Sequence, residues 1–356
     1  MKVLSVSIHQ FRNLTLPAPI AIPSAPLVAV LAPNASGKTN FLEALVVLLR
    51  GKSFRARNEE CVGWGKDNFV VQGQVDYGHG SAGLMVAYNV LTKAVRITEN
   101  SAPVSPVMFF GQYPLVVFLP EDAFLFSRGP VGRRNFLNTS LASNNNYLAS
   151  VVQYHRALRQ RNAALKHAKS SAEIGPWTDL LVEHARAVWS HRTLFTDYLA
   201  SQVPAIYEAL FREKLGLELM FVPGAANMES FRDLLDDSWK YEQRYRYTLY
   251  GPHRDDFEAK VDGRPVSAVL SRGQMRGLAV ACKVAAFSFM KQLLGQDPLL
   301  LFDEVLSELD PDRQKSLLEY ISASQIIMTC SHLPDEIRAK SETAIIDVRS
   351  FSQASY

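Results

Sequence analysis

The sequence predicts an α/β fold in which mixed sheets, part of them antiparallel, are interrupted by an inserted helical lobe. Three observations carry this expectation. A continuous apolar run, Leu27–Leu31, passes through a glycine-containing turn into helix formers at 38–49. Apolar and polar residues alternate near the start and in short runs between 69 and 98, the period of half-buried strands. From Tyr147 to about Lys214 the apolar positions recur at helical spacing instead.

Taken in order, Leu4, Val6 and Ile8 alternate with Ser5, Ser7 and His9 until Phe11-Arg12-Asn13 ends the strand. Strand-like runs at 69–77, 84–90 and 94–98, separated by short turns, predict an antiparallel sheet. Gly51 is placed to cap the helix that follows Leu27–Leu31. Beyond 115–119 come Leu148, Val151, Val152, Leu158 and Leu165, then Leu180, Leu181, Val188 and Phe195, a pattern of two or three long helices. Gly175-Pro176 is expected to separate the first pair, and Pro204 to break or kink the next. Alternation returns at Phe257, Ala259 and Val261, with Asp262-Gly263 as a hairpin turn and a long helix at about 273–294. A strand at 299–302, a helix at 312–321, a strand at 325–328 and a last strand near 344–348 follow.

The 356 residues are 47% hydrophobic and 21% charged, which suits two domains or one large domain with an insertion, and excludes disorder and collagen-like repeats. No apolar stretch approaches the roughly 20 residues of a membrane-spanning helix, and the opening segment turns polar too early for a secretory signal. A cytoplasmic location is expected. Cys61, Cys282 and Cys330 are scattered and odd in number, so neither a disulfide framework nor a four-cysteine zinc site fits. The net charge of +3 hides an asymmetry. Residues 123–172 contain no Asp or Glu but carry Arg128, Arg133, Arg134, Arg156, Arg159, Arg161, Lys166 and Lys169, eight positive charges that leave −5 for the rest. Such a segment is either a solvated helix face or a surface for an anionic partner.

Leu27–Leu31 leads into Ala32-Pro33-Asn34-Ala35-Ser36-Gly37-Lys38-Thr39 and then a helix, the context a phosphate-binding loop demands. Backbone N–H groups at a helix N-terminus have no intrahelical partner, so a loop there can wrap an anion. Lys38 is expected on the β- and γ-phosphates and the Thr39 hydroxyl on Mg²⁺. Ala32 replaces the usual first glycine, and Ala35 stands where glycine is common. Alanine is tolerated at negative φ, whereas at positive φ it costs on the order of 1 kcal/mol.

Two acids, Asp303 and Glu304, end the apolar run 299–302, at the end of a strand where ligands of open α/β sheets bind. Asp303 is expected to hold Mg²⁺, usually through water, and Glu304 to polarise an attacking water as general base. The bland alternative is a strand stopping at two solvated acids. Ser271, in Leu270-Ser271-Arg272-Gly273-Gln274, sits where an N-cap belongs and opens a second anion-binding helix start, though alone it reads as an ordinary cap. One nucleotide rarely needs both starts from one subunit. A dimer sandwiching ATP between them resolves this.

This combination resembles the ABC-type ATPase heads shared by SMC-like DNA proteins, and most closely the RecF family of bacterial DNA replication and repair proteins. The similarity spreads along nearly the whole chain. Phe11-Arg12-Asn13 resembles the family's early FRN, and Pro120-Glu121-Asp122 with Gly129-Pro130 and Arg133-Arg134-Asn135-Phe136-Leu137 resembles its PED…RR.FL block. Gly251-Pro252-His253-Arg254-Asp255-Asp256-Phe257 is nearly its GPHRDDL segment and precedes the signature Ser271-Arg272-Gly273-Gln274. Asp303-Glu304 with Ser307-Glu308-Leu309-Asp310 resembles a Walker B and D-loop pair, and Thr329-Cys330-Ser331-His332 the strand that carries a switch histidine. Arg272 and Met275 make the signature a variant form.

The resemblance implies a P-loop ABC-type ATPase head with an inserted α-helical lobe. The phosphate loop would lie in 1–140, the helical lobe in 141–245, and the signature, Walker B, D-loop and switch histidine in 246–356. Asn34, Ala35, Ser36, Gly37, Lys38, Thr39 and Asn40 would bind ATP, Thr39 and Asp303 would hold Mg²⁺, and Glu304, Lys38 and His332 would serve catalysis. Ser271, Arg272, Gly273 and Gln274, with Asp310, would reach in from a second copy. The implied activity is a weak, DNA-stimulated ATPase. It would act as a homodimeric clamp on single-strand/duplex junctions or gapped DNA in recombinational repair and replication-fork maintenance. Its implied partners are the mediators RecR and RecO and the recombinase RecA, with no membrane. Arg133, Arg134, Arg156, Arg159 and Lys166 are the candidate DNA contacts, although Arg133 and Arg134 equally suit pairing with acids such as Glu121 and Asp122. His253 and Asp255 organise either the site or only the hairpin, and Trp177 and Trp189 read as core. Two other functions stay open: a transport-type ABC nucleotide-binding subunit, which needs a membrane partner, and a DNA scaffold with little ATP turnover.

Overall fold

The computed structural model describes residues 1–33, 35–78, 80–304, 309–321, 323–333, 335–338 and 343–347. Strands β1 (Lys2–Phe11), β2 (Leu14–Ala21) and β3 (Leu27–Leu31) lead into α1 (Lys38–Arg50). Then come β4 (Asn68–Asp76), β5 (Ser81–Asn89), β6 (Ala94–Glu99), β7 (Ala102–Pro103), a short α2 (Pro106–Phe109) and β8 (Leu115–Phe118). Helices α3 (Pro130–Leu141), α4 (Asn145–Ala164) and α5 (Ser171–Phe211) precede β9 (Leu217–Val222), α6 (Phe231–Tyr245), β10 (Asp256–Val261) and β11 (Arg264–Pro265). A short α7 (Val266–Val269) and α8 (Arg272–Leu294) follow, then β12 (Leu299–Asp303), α9 (Pro311–Tyr320), β13 (Ile326–Cys330), a short α10 (Asp335–Arg338) and β14 (Thr343–Asp347). Val348, expected in the last strand, lies outside the described residues.

Two compact units divide the chain, Met1–Asp122 with Met290–Tyr356, and Ala123–Phe289. The expected divisions at 140/141 and 245/246 are displaced for a physical reason. Helix α3 packs on β10, and β10 pairs antiparallel with β9, so the segments on either side of the helices join the helical unit.

In the first unit a five-stranded sheet, ordered β14-β3-β13-β12-β8, is parallel throughout. Strands β8, β12 and β13 are buried along their whole length, as a parallel sheet covered on both faces requires. A six-stranded antiparallel sheet, β2-β1-β4-β5-β6-β7, alternates instead: Ala82, Leu84, Val86 and Tyr88 of β5 are buried and their neighbours are not. In β1 a register shift between Val3 and Ser5 turns Val3 inward in place of Leu4, so the expected alternation holds only from Val6 onward. Helix α1 packs on strands of both sheets, and accordingly Phe41, Leu42 and everything from Ala44 to Leu49 is buried. Gly51 ends it with φ 74, its N–H bonded to Val47 O at 2.8 Å.

At the prolines the helical unit shows neither the expected separation at Gly175-Pro176 nor a break at Pro204. Helix α5 runs unbroken for 41 residues through both Pro176 and Pro204. Each proline removes one intrahelical bond, but the buried stripe Leu181, Val188, Phe195, Leu199, Val203, Ile206 and Leu210 keeps the helix continuous through both. Trp189 is core, as expected; Trp177 is not, being only partly buried. At the expected hairpin, Asp262 and Gly263 have φ 49 and 76, the two left-handed residues a tight turn between β10 and β11 needs.

Buried charge organises this unit. Asp255 is 0% exposed; Oδ1 accepts from Trp189 Nε1 (2.9 Å) and the Gly224 N–H (2.7 Å), and Oδ2 accepts from Arg192 Nη1 (2.5 Å). Arg192 also donates to Pro252 O, Asn138 Oδ1 and the Tyr147 hydroxyl. His253 Nδ1 lies 2.6 Å from the Tyr154 hydroxyl, and burial holds the imidazole down at about 4, the Thr248 carbonyl opposing. Both residues of the Gly251–Asp256 segment left open by sequence thus organise the helical unit.

Helix α8 corrects one expectation. Its 23 residues are long and apolar enough to cross a membrane by length and composition, yet most of the helix is buried within the protein, including Leu278, Ala281, Cys282 and Ala285. All three cysteines are buried, and burial pushes the Cys61 and Cys330 thiols up to about 11 and raises that of Cys282.

Replacing Asp255 with alanine strands the buried Arg192 charge and the Trp189 and Gly224 donors. The expected loss in chemical denaturation is about 3–5 kcal/mol, against at most about 0.5 kcal/mol for a surface control such as Glu183→Ala.

Candidate functional site

Because β3, β13 and β12 lie side by side and parallel, the segments following their carboxyl ends emerge at one edge. These are the phosphate loop after Leu31, Ser331-His332 after Cys330, and Asp303-Glu304. Gly37 opens α1 with φ 97, which favours glycine, and a Cβ there would lie 2.8 Å from Asn13 Oδ1 and displace that side chain. Gly37, at the cap position of α1, has no side chain to cap it, and the buried Ser36 hydroxyl has no hydrogen-bond partner among the described residues. A glycine-opened helix start beside an orphan hydroxyl and a lysine fits a phosphate chain.

Lys38 is 4% exposed; its Nζ donates to Ala32 O (2.8 Å) and Pro33 O (3.3 Å) and pairs with Glu304 Oε1 at 2.8 Å. Thr39 Oγ1 donates to Asp303 Oδ1 at 3.0 Å, and Thr329 Oγ1 donates to the same oxygen at 2.8 Å. Burial pushes the Asp303 carboxyl up while the Thr329 and Thr39 hydroxyls pull it down. Oxygen donors of this kind, one hydroxyl and one carboxylate, suit Mg²⁺, which takes its other ligands from phosphates and water. Among the described residues no group of three or more His, Cys, Asp or Glu is gathered to hold a metal alone.

Two residues here sit in the left-handed region: Ala35, with φ 64, and Glu304, with φ 52. Ala35 therefore incurs the strain that sequence flagged as conditional, whereas Ala32 is buried outside that region. His332 is exposed just beyond β13, and Asp310 caps α9 by accepting the Arg313 N–H at 2.9 Å. Asn34, Ser307 and Glu308 lie outside the described residues.

Behind the loop stands a second layer that spacing alone did not reveal. Glu43, 0% exposed on α1, accepts from Arg12 (Nη2 to Oε1, 2.8 Å), Arg55 (Nη2 to Oε2, 2.8 Å) and Ser53 (Oγ to Oε1, 2.6 Å). Burial opposes its ionisation, but these donors hold it down at about 2. Asn40 faces this layer, donating to Asn13 Oδ1 at 2.7 Å and accepting from Arg55. The Phe11-Arg12-Asn13 turn thus braces α1 and the loop; its signal was only the resemblance. Thr329 was missed because a lone threonine in an apolar strand carries no pattern.

In the helical unit, Ser271, Arg272 and Gly273 are exposed at the start of α8. Ser271 caps it reciprocally, accepting the Gln274 N–H at 3.3 Å while its own N–H donates to Gln274 Oε1 at 2.8 Å. Arg133 forms a bidentate pair with Asp256 (2.6 and 2.8 Å) and donates to Leu125 O and Arg128 O. Arg134 donates to Asp255 O at 2.8 Å. The acid that Arg133 uses is Asp256, not the sequence-adjacent pair considered above. Arg156, Arg159 and Lys166 are exposed, whereas Arg161 is fully buried on Glu242 at 2.6 Å.

No family model matches the chain. It is 33% identical over 314 residues to the DNA replication and repair protein RecF of Moorella thermoacetica, covering 85% of this chain and 83% of that one. A solved structure of the recombination mediator protein RecF-ATP in the RecFOR pathway superposes with a TM-score of 0.86 at 26% identity, covering 94% of this chain and 92% of that one. An SMC head bound to the C-winged helix domain of ScpA, 14% identical with a TM-score of 0.55 over 95% and 91% of the chains, shares the fold.

Two outcomes are expected. Glu43 contributes stability above its unfolded value near 4.5 and loses it as pH falls toward about 2. The contribution is on the order of 3 kcal/mol, so Glu43→Gln is less stable at pH 7 and flattens the stability profile across that acid window. Ala35→Gly relieves the positive φ and stabilises by about 1 kcal/mol, read as a raised melting temperature.

Proposed function

The chain belongs to the RecF family of DNA replication and repair proteins, and from that premise we propose that it is an ATP-gated DNA clamp of recombinational repair and replication-fork maintenance, working in the cytoplasm. One observation carries the reading: the Thr39 hydroxyl meets the buried Asp303 carboxylate at 3.0 Å, beside Lys38 and the glycine-opened helix start. Thr39 and Asp303 would hold Mg²⁺, which neutralises phosphate charge when bound. Lys38 exchanges Glu304 for the β- and γ-phosphates, and the released carboxylate is free to polarise an attacking water. His332 follows the γ-phosphate, with Ser36 and the loop N–H groups on the remaining oxygens.

A second copy supplies Ser271, Arg272, Gly273, Gln274 and Asp310, so binding of ATP closes a homodimer and slow hydrolysis opens it. Exposed Arg156, Arg159 and Lys166 contact DNA phosphates without reading sequence, which suits junctions and gaps. RecR, RecO and RecA are the proposed partners; the solved relative is a recombination mediator protein of the RecFOR pathway. Family membership favours this reading over a transport subunit.

Size analysis with and without ATP and gapped duplex tests it. Lys38→Met is expected to abolish ATP-dependent dimerisation, and Glu304→Gln to accumulate a closed dimer on DNA with phosphate release at least 100-fold slower than wild type, an order of magnitude set by the loss of a general base. Unchanged oligomeric state in both variants refutes the gating, and wild-type phosphate release no faster than that of Glu304→Gln favours the scaffold.

A further inference from the structure

Two helical stripes build a cavity on the helical unit that the nucleotide site does not use. On α4, Gln153, Arg156 and Gln160 recur at i, i+3 and i+7; on α5, Trp177, Leu180 and His184 do the same. Together they line a cavity of 230 Å³. That is below the roughly 300 Å³ at which pockets for drug-sized ligands begin, so it has room for one planar group. Its walls are fixed in advance: Arg161, next to Gln160, donates to Thr178 Oγ1 at 3.0 Å and pairs with Glu242, both charges fully buried.

The chemistry of the lining is specific. Partly exposed Trp177 offers a face for stacking, two glutamine amides both donate and accept, and exposed Arg156 offers a cation. The surround is basic, because residues 123–172 hold no acid and Arg159 is also exposed. Of the acids on the facing stretch of α5, Asp179 is paired with Arg232, the Glu173 carboxylate accepts the Lys169 N–H, and Glu183 is solvated. A protein side chain would find the same cavity, but a polyanion is what this surround attracts.

We propose that the cavity takes one unpaired base of single-stranded DNA, stacked on Trp177, with its edge read by Gln153 and Gln160 and its flanking phosphate met by Arg156. The inference rests on the DNA-clamp reading and deepens it. Lysine and arginine contacts give affinity for any duplex, whereas a base pocket makes the protein prefer a duplex with an unpaired strand beside it.

Binding of the full-length protein to three DNAs separates the two: a blunt duplex, the same duplex with a single-stranded thymidine overhang, and that overhang with abasic sites. Abasic sites keep the phosphates and remove the bases. The native overhang is expected to bind about tenfold tighter than the abasic one, the scale of one base stacked on an aromatic ring. Trp177→Ala should erase the difference while leaving blunt-duplex affinity unchanged, and Trp177→Phe should keep most of it. Equal binding of native and abasic overhangs by the wild type overturns the proposal and leaves the cavity to a protein partner. A Trp177→Ala loss of equal size on blunt duplex also overturns it, since the residue then acts through the fold. Failure to bind even the blunt duplex refutes the clamp reading itself.

Discussion

The parallel pairing of β3 with β13, and of β13 with β12, is the constraint on which the nucleotide-binding face depends. It joins residues 27–31 to residues 299–330, and its register sets Leu31 opposite Cys330 and Thr329 opposite Asp303. A slip of one residue would turn Asp303 to the other face and separate it from both hydroxyls. The strands themselves are apolar and buried, so the register is held by packing on both faces and by α1, while the polar groups appear only where the strands stop.

Strain and paired charge meet where those strands stop. Ala35 and Glu304 occupy the left-handed region, a conformation that costs a non-glycine residue on the order of 1 kcal/mol each. The buried lysine is neutralised by the same Glu304, so the acid's backbone and side chain are both engaged at one point. The layer behind, Arg12-Glu43-Arg55, keeps the loop's support rigid while the loop residues themselves can exchange partners.

Much of this was legible beforehand. Leu27–Leu31 and the helix after it were marked by an apolar run, a glycine and a C-terminal Gly51, all local signals. The long unbroken α5 was not, because proline rules describe one helix turn and know nothing of the apolar stripe that outweighs them. Strand β9 and helix α6 went unread: β9 alternates over only six residues, whereas α6 carries a legible apolar stripe through Phe231 and Leu235 on an otherwise charged helix. At the site, Thr39 meets Asp303 across 264 positions and Lys38 pairs with Glu304, whereas Thr329 and Glu43 take their roles from neighbours in space 10 to 31 positions away. Arg133 illustrates the same limit, since its partner, Asp256, lies 123 residues away.

The three sequestered sulfurs have a practical consequence. Each is buried and held protonated well above neutral pH, which keeps it unreactive toward alkylating reagents and mild oxidants. A cysteine engineered onto the surface of either unit would then be the sole nucleophilic thiol, and a fluorophore could be attached there while the native sulfurs stay in place.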